Sequence, residues 1–427
     1  MKCLKPRASA ERRPVPAPKV HFPLLVLATL GALAVFQGSA AKQAHAVPAW
    51  ARKTGLPCAS CHFGGTSRLS EFGRDFQMRG HRLKSDEGAQ PWSKLMDHLS
   101  VAAKVRSTGG PSSGSGTASA ASAVQTWEVF AGGPVSRQFS YFGEYILYDR
   151  VAGTPQGTSG FLDGYVQYTG SASSADRFWW VRSGRLYPFA VYALGAGGRT
   201  TLSRSRLVTD KLNGLLPALQ RRSLGVSAGY ASRAGLRLEA GVQRGSSLAQ
   251  NAEKDASLFL SRPDVFVTAE QTFDNFGTAL GLYGRTGWIN QGSDDSDGHD
   301  GSNSSSRNSR QRFTQSGVLG RYVNEHFVLS GTYIMSQVRD GDGQVQRPAG
   351  YFLEAARNLK PELTGFMRYD SLAGAAATTS DIRTRGIVVG VSQRLPGSGR
   401  LVFEWGHDLS AGALRKQSAL LDVVVMY

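Results

Sequence analysis

From His98 onward, apolar and polar residues alternate with a period of two, the spacing of a strand with one apolar face and one polar face. Leu99, Val101, Ala103 and Val105 share one face, while Ser100, Lys104 and Arg106 share the other. Leu236, Leu238, Ala240 and Val242 alternate with Arg237, Glu239 and Gln243, and Leu401, Phe403 and Trp405 with Glu404 and Asp408. Sixteen such runs begin near residues 98, 122, 137, 160, 177, 223, 234, 263, 276, 310, 326, 347, 360, 383, 398 and 416. A soluble sandwich would show the same alternation, so the connections have to discriminate.

The connections alternate between short and long. Short ones are expected at Gly132-Gly133-Pro134, Ser232-Arg233, Asp274-Asn275, Asn324-Glu325, Asn358-Leu359 and Pro396-Gly397-Ser398. Long ones are expected at 187–222, 244–262 and 290–309. Outer-membrane barrels sort their loops in this way, with an even number of strands, short periplasmic turns and long outer loops. The ending agrees: Leu421, Val423, Val425 and Tyr427 alternate and finish on an aromatic residue, which resembles the signal read by the outer-membrane assembly machinery. Tyr148, Tyr168, Trp288, Tyr322, Tyr369 and Trp405 are expected near strand ends, where interfacial aromatics belong. Arg182, Arg185, Arg310, Arg312 and Arg321 are candidates to face the lumen. The pattern therefore predicts an all-β fold, a 16-stranded transmembrane antiparallel β-barrel of porin size occupying residues 92–427.

Composition narrows the class. The chain has 427 residues, 41% hydrophobic and 19% charged, with 51 glycines. That is too apolar for disorder and far from a helical membrane protein. The formal charge of +17 invites a nucleic-acid reading. Residues 1–46, however, read as a secretory signal peptide, with Lys2, Lys5, Arg7, Arg12, Arg13 and Lys19 ahead of an apolar run from Phe22 to Phe36 and an Ala44-His45-Ala46 cleavage motif. That run falls short of the roughly 20 residues a spanning helix needs. The segment holds seven Lys/Arg and one Glu, so its loss removes six of the seventeen charges and leaves eleven, spread along the chain. Nucleic acid is not an expected partner.

Three cysteines remain to be explained, and Cys3 leaves with the signal peptide. The other two stand in Cys58-Ala59-Ser60-Cys61-His62, the attachment pattern of a c-type haem. The thiols form thioethers to the porphyrin vinyl groups, and the adjacent histidine becomes the proximal iron ligand. A short-loop disulfide, or half of a zinc site completed by His62 and His81, would use the same side chains. Both mature cysteines of an exported chain falling in this one pattern points instead to one covalent haem c. Covalent attachment also suits a small segment, residues 47–91, that has little core of its own.

Beyond the motif, Leu69, Phe72 and Phe76 fall on one face of a helix expected to end at Gly80, an apolar stripe suited to pack on a porphyrin. Met78 and His81 are the candidate distal ligands. Met78 points nearly opposite the stripe, whereas His81 lies beyond the Gly80 break and is freer to turn inward. An open sixth position is the third alternative. The acidic run from Asp294 to Asp300, in an expected outer loop, reads as a solvated loop more than as a cation site. Residues 109–120 read as a low-complexity loop.

The stretch Ala51-Arg52-Lys53-Thr54-Gly55-Leu56-Pro57-Cys58-Ala59-Ser60-Cys61-His62, followed by Leu69-Ser70-Glu71-Phe72-Gly73-Arg74-Asp75-Phe76, resembles the fused outer-membrane monohaem cytochrome–porins of ferrous-iron-oxidising bacteria. The match covers about twenty-five residues. Relatives often carry tyrosine where His81 stands. The resemblance implies an outer-membrane protein of a Gram-negative bacterium, with its haem segment periplasmic or in the lumen. It also implies that extracellular Fe(II) is oxidised and the electron passed to a periplasmic c-type cytochrome, the chemistry of an Fe(II):cytochrome c oxidoreductase. A diffusion porin with a haem-bearing plug or sensor, and a conduit for another external donor or acceptor, are the alternatives.

Overall fold

The computed structural model describes residues 49–84, 94–109, 121–149, 158–171, 177–186, 200–209, 219, 223–244, 246–247, 263–290, 310–339, 343–374, 382–395, 399–410 and 417–426. The expected signal peptide, the Asp294–Asp300 run, most of the low-complexity loop, Pro396-Gly397-Ser398 and Tyr427 lie outside them.

Sixteen long strands are present among the described residues. The first eight are β1 (Leu99–Gly109), β2 (Ala121–Pro134), β3 (Phe139–Asp149), β4 (Thr158–Ser171), β5 (Phe178–Leu186), β6 (Ser223–Ala231), β7 (Leu236–Gln243) and β8 (Asp264–Thr272). The rest are β9 (Ala279–Asn290), β10 (Arg310–Val323), β11 (Phe327–Arg339), β12 (Ala349–Lys360), β13 (Leu363–Gly374), β14 (Ile382–Arg394), β15 (Arg400–Asp408) and β16 (Gln417–Met426). Two-residue strands at Ser246–Ser247 and Val345–Gln346 add short edges. Every long strand starts within three residues of its expected position. Each pairs antiparallel with its sequence neighbours, and β16 returns to β1 from Ala102↔Met426 to Gly109↔Ala419, which closes the barrel.

The alternation is turned inside out relative to a soluble protein. Leu282 is 60% exposed and Val267 55%, while Asp264 is 0%, Asp422 1% and Arg182 2% exposed. A wall with apolar side chains outward and charges inward is stable only where the outside is hydrocarbon, which is the arrangement of a transmembrane barrel. No described helix is long and apolar enough to cross a membrane.

Some details differ from expectation. Strand β2 runs through Gly132-Gly133-Pro134, and the turn is made by residues 135–138, closed by Val135 N donating to Phe139 O at 2.9 Å. Pro134 costs the ladder nothing there, because it is the last strand residue. Likewise β12 continues past Asn358-Leu359 to Lys360 with a bulge. Tyr369 and Trp405 lie mid-strand, whereas Tyr148, Trp288 and Tyr322 are near strand ends. Arg182 and Arg321 face inward, but Arg312 is exposed on the outer surface. Arg312 and Arg321 are nine positions apart on one strand, an odd spacing that puts them on opposite faces.

Candidate functional site

The described residues before β1, from Ala49 on, form one compact unit with the barrel. They fold as α1 (Ala49–Thr54), α2 (Cys58–Cys61) and α3 (Glu71–Met78). Pro57 precedes α2 in an extended conformation, so the helical turn starts at Cys58 and places both thiols on it. No disulfide joins them. His62 leaves the turn in extended backbone and bridges to Leu69, and Phe63 N donates to Arg68 O at 2.9 Å. Residues 62–69 therefore double back and carry Arg68 beside the motif. Ser70 caps α3 by accepting from Gly73 N at 3.1 Å, while its hydroxyl donates to Ser60 O at 2.6 Å. Gly73 is where α3 crosses α2: a β-carbon there would stand 2.2 Å from the Cys61 carbonyl oxygen. The helix stops at Gly80 and His81, both in the left-handed region at φ 72° and 61°.

This segment spans the lumen at the short-turn end. On one side Ala49 N donates to Ser100 Oγ at 2.7 Å and Trp50 Nε1 to Gly132 O at 3.1 Å. Across the barrel, Gly65 N donates to Thr364 Oγ1 at 3.2 Å, and the Gly65 carbonyl oxygen accepts from Ser392 Oγ at 2.6 Å. Between them lies an ion-pair cluster. Glu270 of β8 accepts two 2.8 Å bonds from Arg74 of α3, one of 3.1 Å from Arg237 of β7 and one of 3.0 Å from Arg321 of β10. Glu71 bonds Arg237 and Arg321 as well. Burial pushes the Glu71 carboxyl up, but Arg237 and Arg74 outweigh it and hold it below its usual range. Glu270→Ala is expected to leave three guanidinium groups around Glu71 alone, at a cost of about 3–5 kcal/mol. Hydrogen exchange in α3 should quicken while the strand amides stay protected; unchanged exchange in α3 would show that the cluster does not fasten the plug.

A second insertion packs inside the barrel against the wall formed by β9–β15. Residues 200–209, from the connection between β5 and β6, fold inward and end in α4 (Arg206–Thr209). Leu202 N donates to Glu404 at 2.7 Å, Ser205 Oγ to Asp370 at 2.6 Å and Arg206 to Asp408 at 2.9 Å. Leu207 and Val208 are buried among Phe313, Ile334, Phe352 and Leu372 of the inner wall. Glu354 touches both insertions: it accepts from Arg68 at 3.3 Å and from Thr200 N at 3.0 Å.

A cavity of about 410 Å³ lies under the motif, lined by Ala59, Ser60, His62, Leu69 and Phe72 of the plug and by the short turns at residues 275–277 and 324–325. Arg68, Glu71, Arg74 and Arg321 reach it as well. Burial, and then the charges of Arg400 and Arg394, push His62 down to about 4, so its imidazole is neutral, the form that binds a metal. Its Nδ1 is buried with no hydrogen-bond partner. Burial, and then Cys58, push the Cys61 thiol up to about 11. Among the described residues no three His, Cys, Asp or Glu side chains converge as a metal site, so a zinc half-site lacks its other half. Two adjacent thiols, a neutral histidine with a free ring nitrogen and an adjoining cavity fit a covalently held haem.

The other site residues are arranged differently from a single stripe. Leu69 and Phe72 line the cavity, and Phe72 is 44% exposed. Phe76 instead meets His81 edge to face at 5.8 Å. His81 is buried between Trp50 and Phe142, with centroids 4.6 and 5.3 Å away, and burial pushes its pKa down to about 3. Met78 is buried against Phe178 and Trp180. Neither Met78 nor His81 lines the cavity that His62 lines; they lie off the far end of α3, which is about 12 Å long at 1.5 Å per residue.

No known family's sequence profile matches the chain, and no curated protein is similar to it in sequence. Solved structures are similar to it in fold. A loop-deleted OmpT, an outer membrane protein of Vibrio cholerae, matches with a TM-score of 0.55 at 13% identity, over 77% of this chain and 99% of that one. An anion-selective porin from Comamonas acidovorans matches with a TM-score of 0.53 at 12% identity, over 77% and 98%. The outer membrane channel DcaP of Acinetobacter baumannii matches with a TM-score of 0.52 at 10% identity, over 77% and 96%. At these identities the likeness is one of fold: a porin-like barrel.

Proposed function

We propose that this barrel transfers electrons at the outer membrane through one haem c bonded to Cys58 and Cys61, with His62 as proximal ligand. The observation that carries the reading is the Cys58–His62 turn held inside the barrel, above its own cavity, by a segment bonded to both sides of the lumen wall. When bound, a haem supplies a one-electron couple. The protein's part is to hold it: α2 presents the thiols, Gly73 lets α3 close on them, and Phe72 with Leu69 covers the cavity's apolar side. The sixth ligand is drawn from His81, Met78 or neither; a ligand from beyond α3 requires that end of the segment to move. The donor in this reading is extracellular Fe(II) and the acceptor a periplasmic c-type cytochrome, as the resemblance implies. The cavity's position among the short turns suits release toward the periplasm.

The second reading is a diffusion porin whose haem segment is a plug or sensor, and the fold of the structural neighbours favours it. A plug bonded to both sides of the lumen wall and a second segment folded inside the barrel weigh the other way. Mixing the oxidised protein with Fe²⁺ in a stopped-flow spectrometer separates them. Rapid growth of the ferrous c-type bands, absent in His62→Ala, is the expected result. A haem reduced by dithionite but not by Fe²⁺, from acidic to neutral pH, would remove iron as donor, and a protein with no covalent haem would remove the whole reading.

A further inference from the structure

The cavity beside His62 holds one cation whose hydrogen-bonding capacity the protein leaves unused. Three arginines line it, Arg68, Arg74 and Arg321. Arg74 spends both terminal nitrogens on Glu270. Arg321 spends Nε on the Gly277 carbonyl and Nη2 on Glu71 and Glu270. Arg68 differs. Its side-chain bonds both leave from Nη1, to Ser330 Oγ at 3.2 Å and Glu354 at 3.3 Å, and Nε and Nη2 make none among the described residues. Those two nitrogens form the side-on fork that matches a carboxylate.

Arg68 is 5% exposed overall and lines the cavity, so its two open nitrogens present donors there. Glu354, which pairs with Nη1, also accepts from Thr200 and Thr201 of the inward-folded loop. A guanidinium with an open fork facing a cavity is placed to take a carboxylate. Its position is fixed by the doubled-back chain: the backbone bond from Phe63 to Arg68 ties it to the residue after His62.

A haem brings two propionate carboxylates into whatever cavity receives it, and each must stay in water or meet a cation. We propose that Arg68 is the partner of a haem propionate, binding it through Nε and Nη2 while Nη1 stays on Glu354. This rests on the haem reading above. Arg68 is then a positioning residue that also sets the potential, because a fixed positive charge beside the porphyrin favours the ferrous state. It links the haem to Glu354, and through Glu354 to Thr200 and Thr201 of the inward-folded loop.

The test is spectroelectrochemical titration of the full-length protein in detergent, with Arg68→Gln, Glu354→Gln and Glu404→Gln variants. Pyridine haemochrome spectra of each come first; a wild-type protein with no covalent haem would end the haem reading, and this assignment with it. With haem present, Arg68→Gln is expected to lower the midpoint potential and the isosteric Glu354→Gln to raise it. Glu404→Gln, whose carboxylate holds only the loop, should leave it in place. Where Arg68→Gln does not assemble, the Glu354→Gln shift alone decides. Potentials unchanged in Arg68→Gln and Glu354→Gln, with haem covalently bound, would overturn the propionate assignment and leave the haem reading standing. A wild-type potential that follows added acetate would give the fork to a soluble carboxylate and overturn it equally.

Discussion

Replacing Cys58 and Cys61 together by alanine is expected to yield a fully assembled barrel with no covalent haem, a fall from one haem per chain to none. The two halves of that outcome have separate causes. Thioether formation needs both sulfurs on one turn, and α2 is a single turn with Pro57 ahead of it and His62 behind. With both sulfurs gone nothing holds a porphyrin covalently, and a neutral His62 alone would bind it weakly. Barrel assembly does not depend on the thiols. The strands close on one another from β1 to β16, and the plug is held by Arg74 on Glu270, by Glu71 on Arg237 and Arg321, and by the Gly65 bonds to β13 and β14. The c-type absorbance should vanish while the barrel keeps the heat-modifiable gel mobility of a folded outer-membrane protein. Loss of both signals would mean that the haem is needed for folding. Retention of a haem resistant to denaturing extraction would mean that another residue bonds it.

How much of this was legible in the sequence follows from the range of the interactions. Strand positions were, because a period of two is a local property and a one-residue slip would turn Val265 inward and Asp264 into lipid. Turn residues were less so. Gly132-Gly133-Pro134 has turn composition, yet pairing with β3 carries the strand through it to Pro134↔Ser140. The Cys58–His62 turn was legible because it is made by five consecutive residues with Pro57 ahead of it. The plug's fastenings were not: Arg74 and Glu270 are 196 positions apart and Arg68 and Glu354 are 286 apart, and nothing near either partner marks the other. The helical stripe of Leu69, Phe72 and Phe76 shows the limit in between. Helical spacing puts Phe72 and Phe76 on one face, but the cavity ends with the first turn of α3, and beyond it Phe76 meets His81 instead. The inward fold of residues 200–209 had no signal at all, since Leu207 and Val208 look like part of an outer loop until the apolar inner wall at Phe313 and Phe352 is seen.

Opening the lumen should take two changes, and the effect of both together should far exceed the effects of either alone. The plug and the inward-folded loop both lie inside the barrel and meet where Glu354 accepts from Arg68 and Thr200 and where Phe63 packs on the cluster that holds Leu202. Conductances in series are limited by the smaller, so removing residues 49–84 leaves the loop as the barrier, and removing residues 200–209 leaves the plug. In planar lipid bilayers the full-length protein is therefore expected to conduct at or near the membrane baseline, and each single deletion only slightly above it. The double deletion should give the large, steady conductance of a 16-stranded barrel, whose bore is wide enough for an aqueous channel. The barrel itself should survive, because strand pairing supplies every backbone partner the spanning segments need. The loop deletion exposes the apolar inner wall around Ile334 and Leu372 to water, and with Leu207 and Val208 lost it is the less stable of the two, by about 2–5 kcal/mol for each large buried side chain removed. Porin-scale conductance in the unaltered protein would mean that solutes pass both insertions, and it would favour the diffusion reading over electron transfer. A large conductance from the plug deletion alone would instead place the closure at residues 49–84, and make displacement of that segment the event that opens the pore.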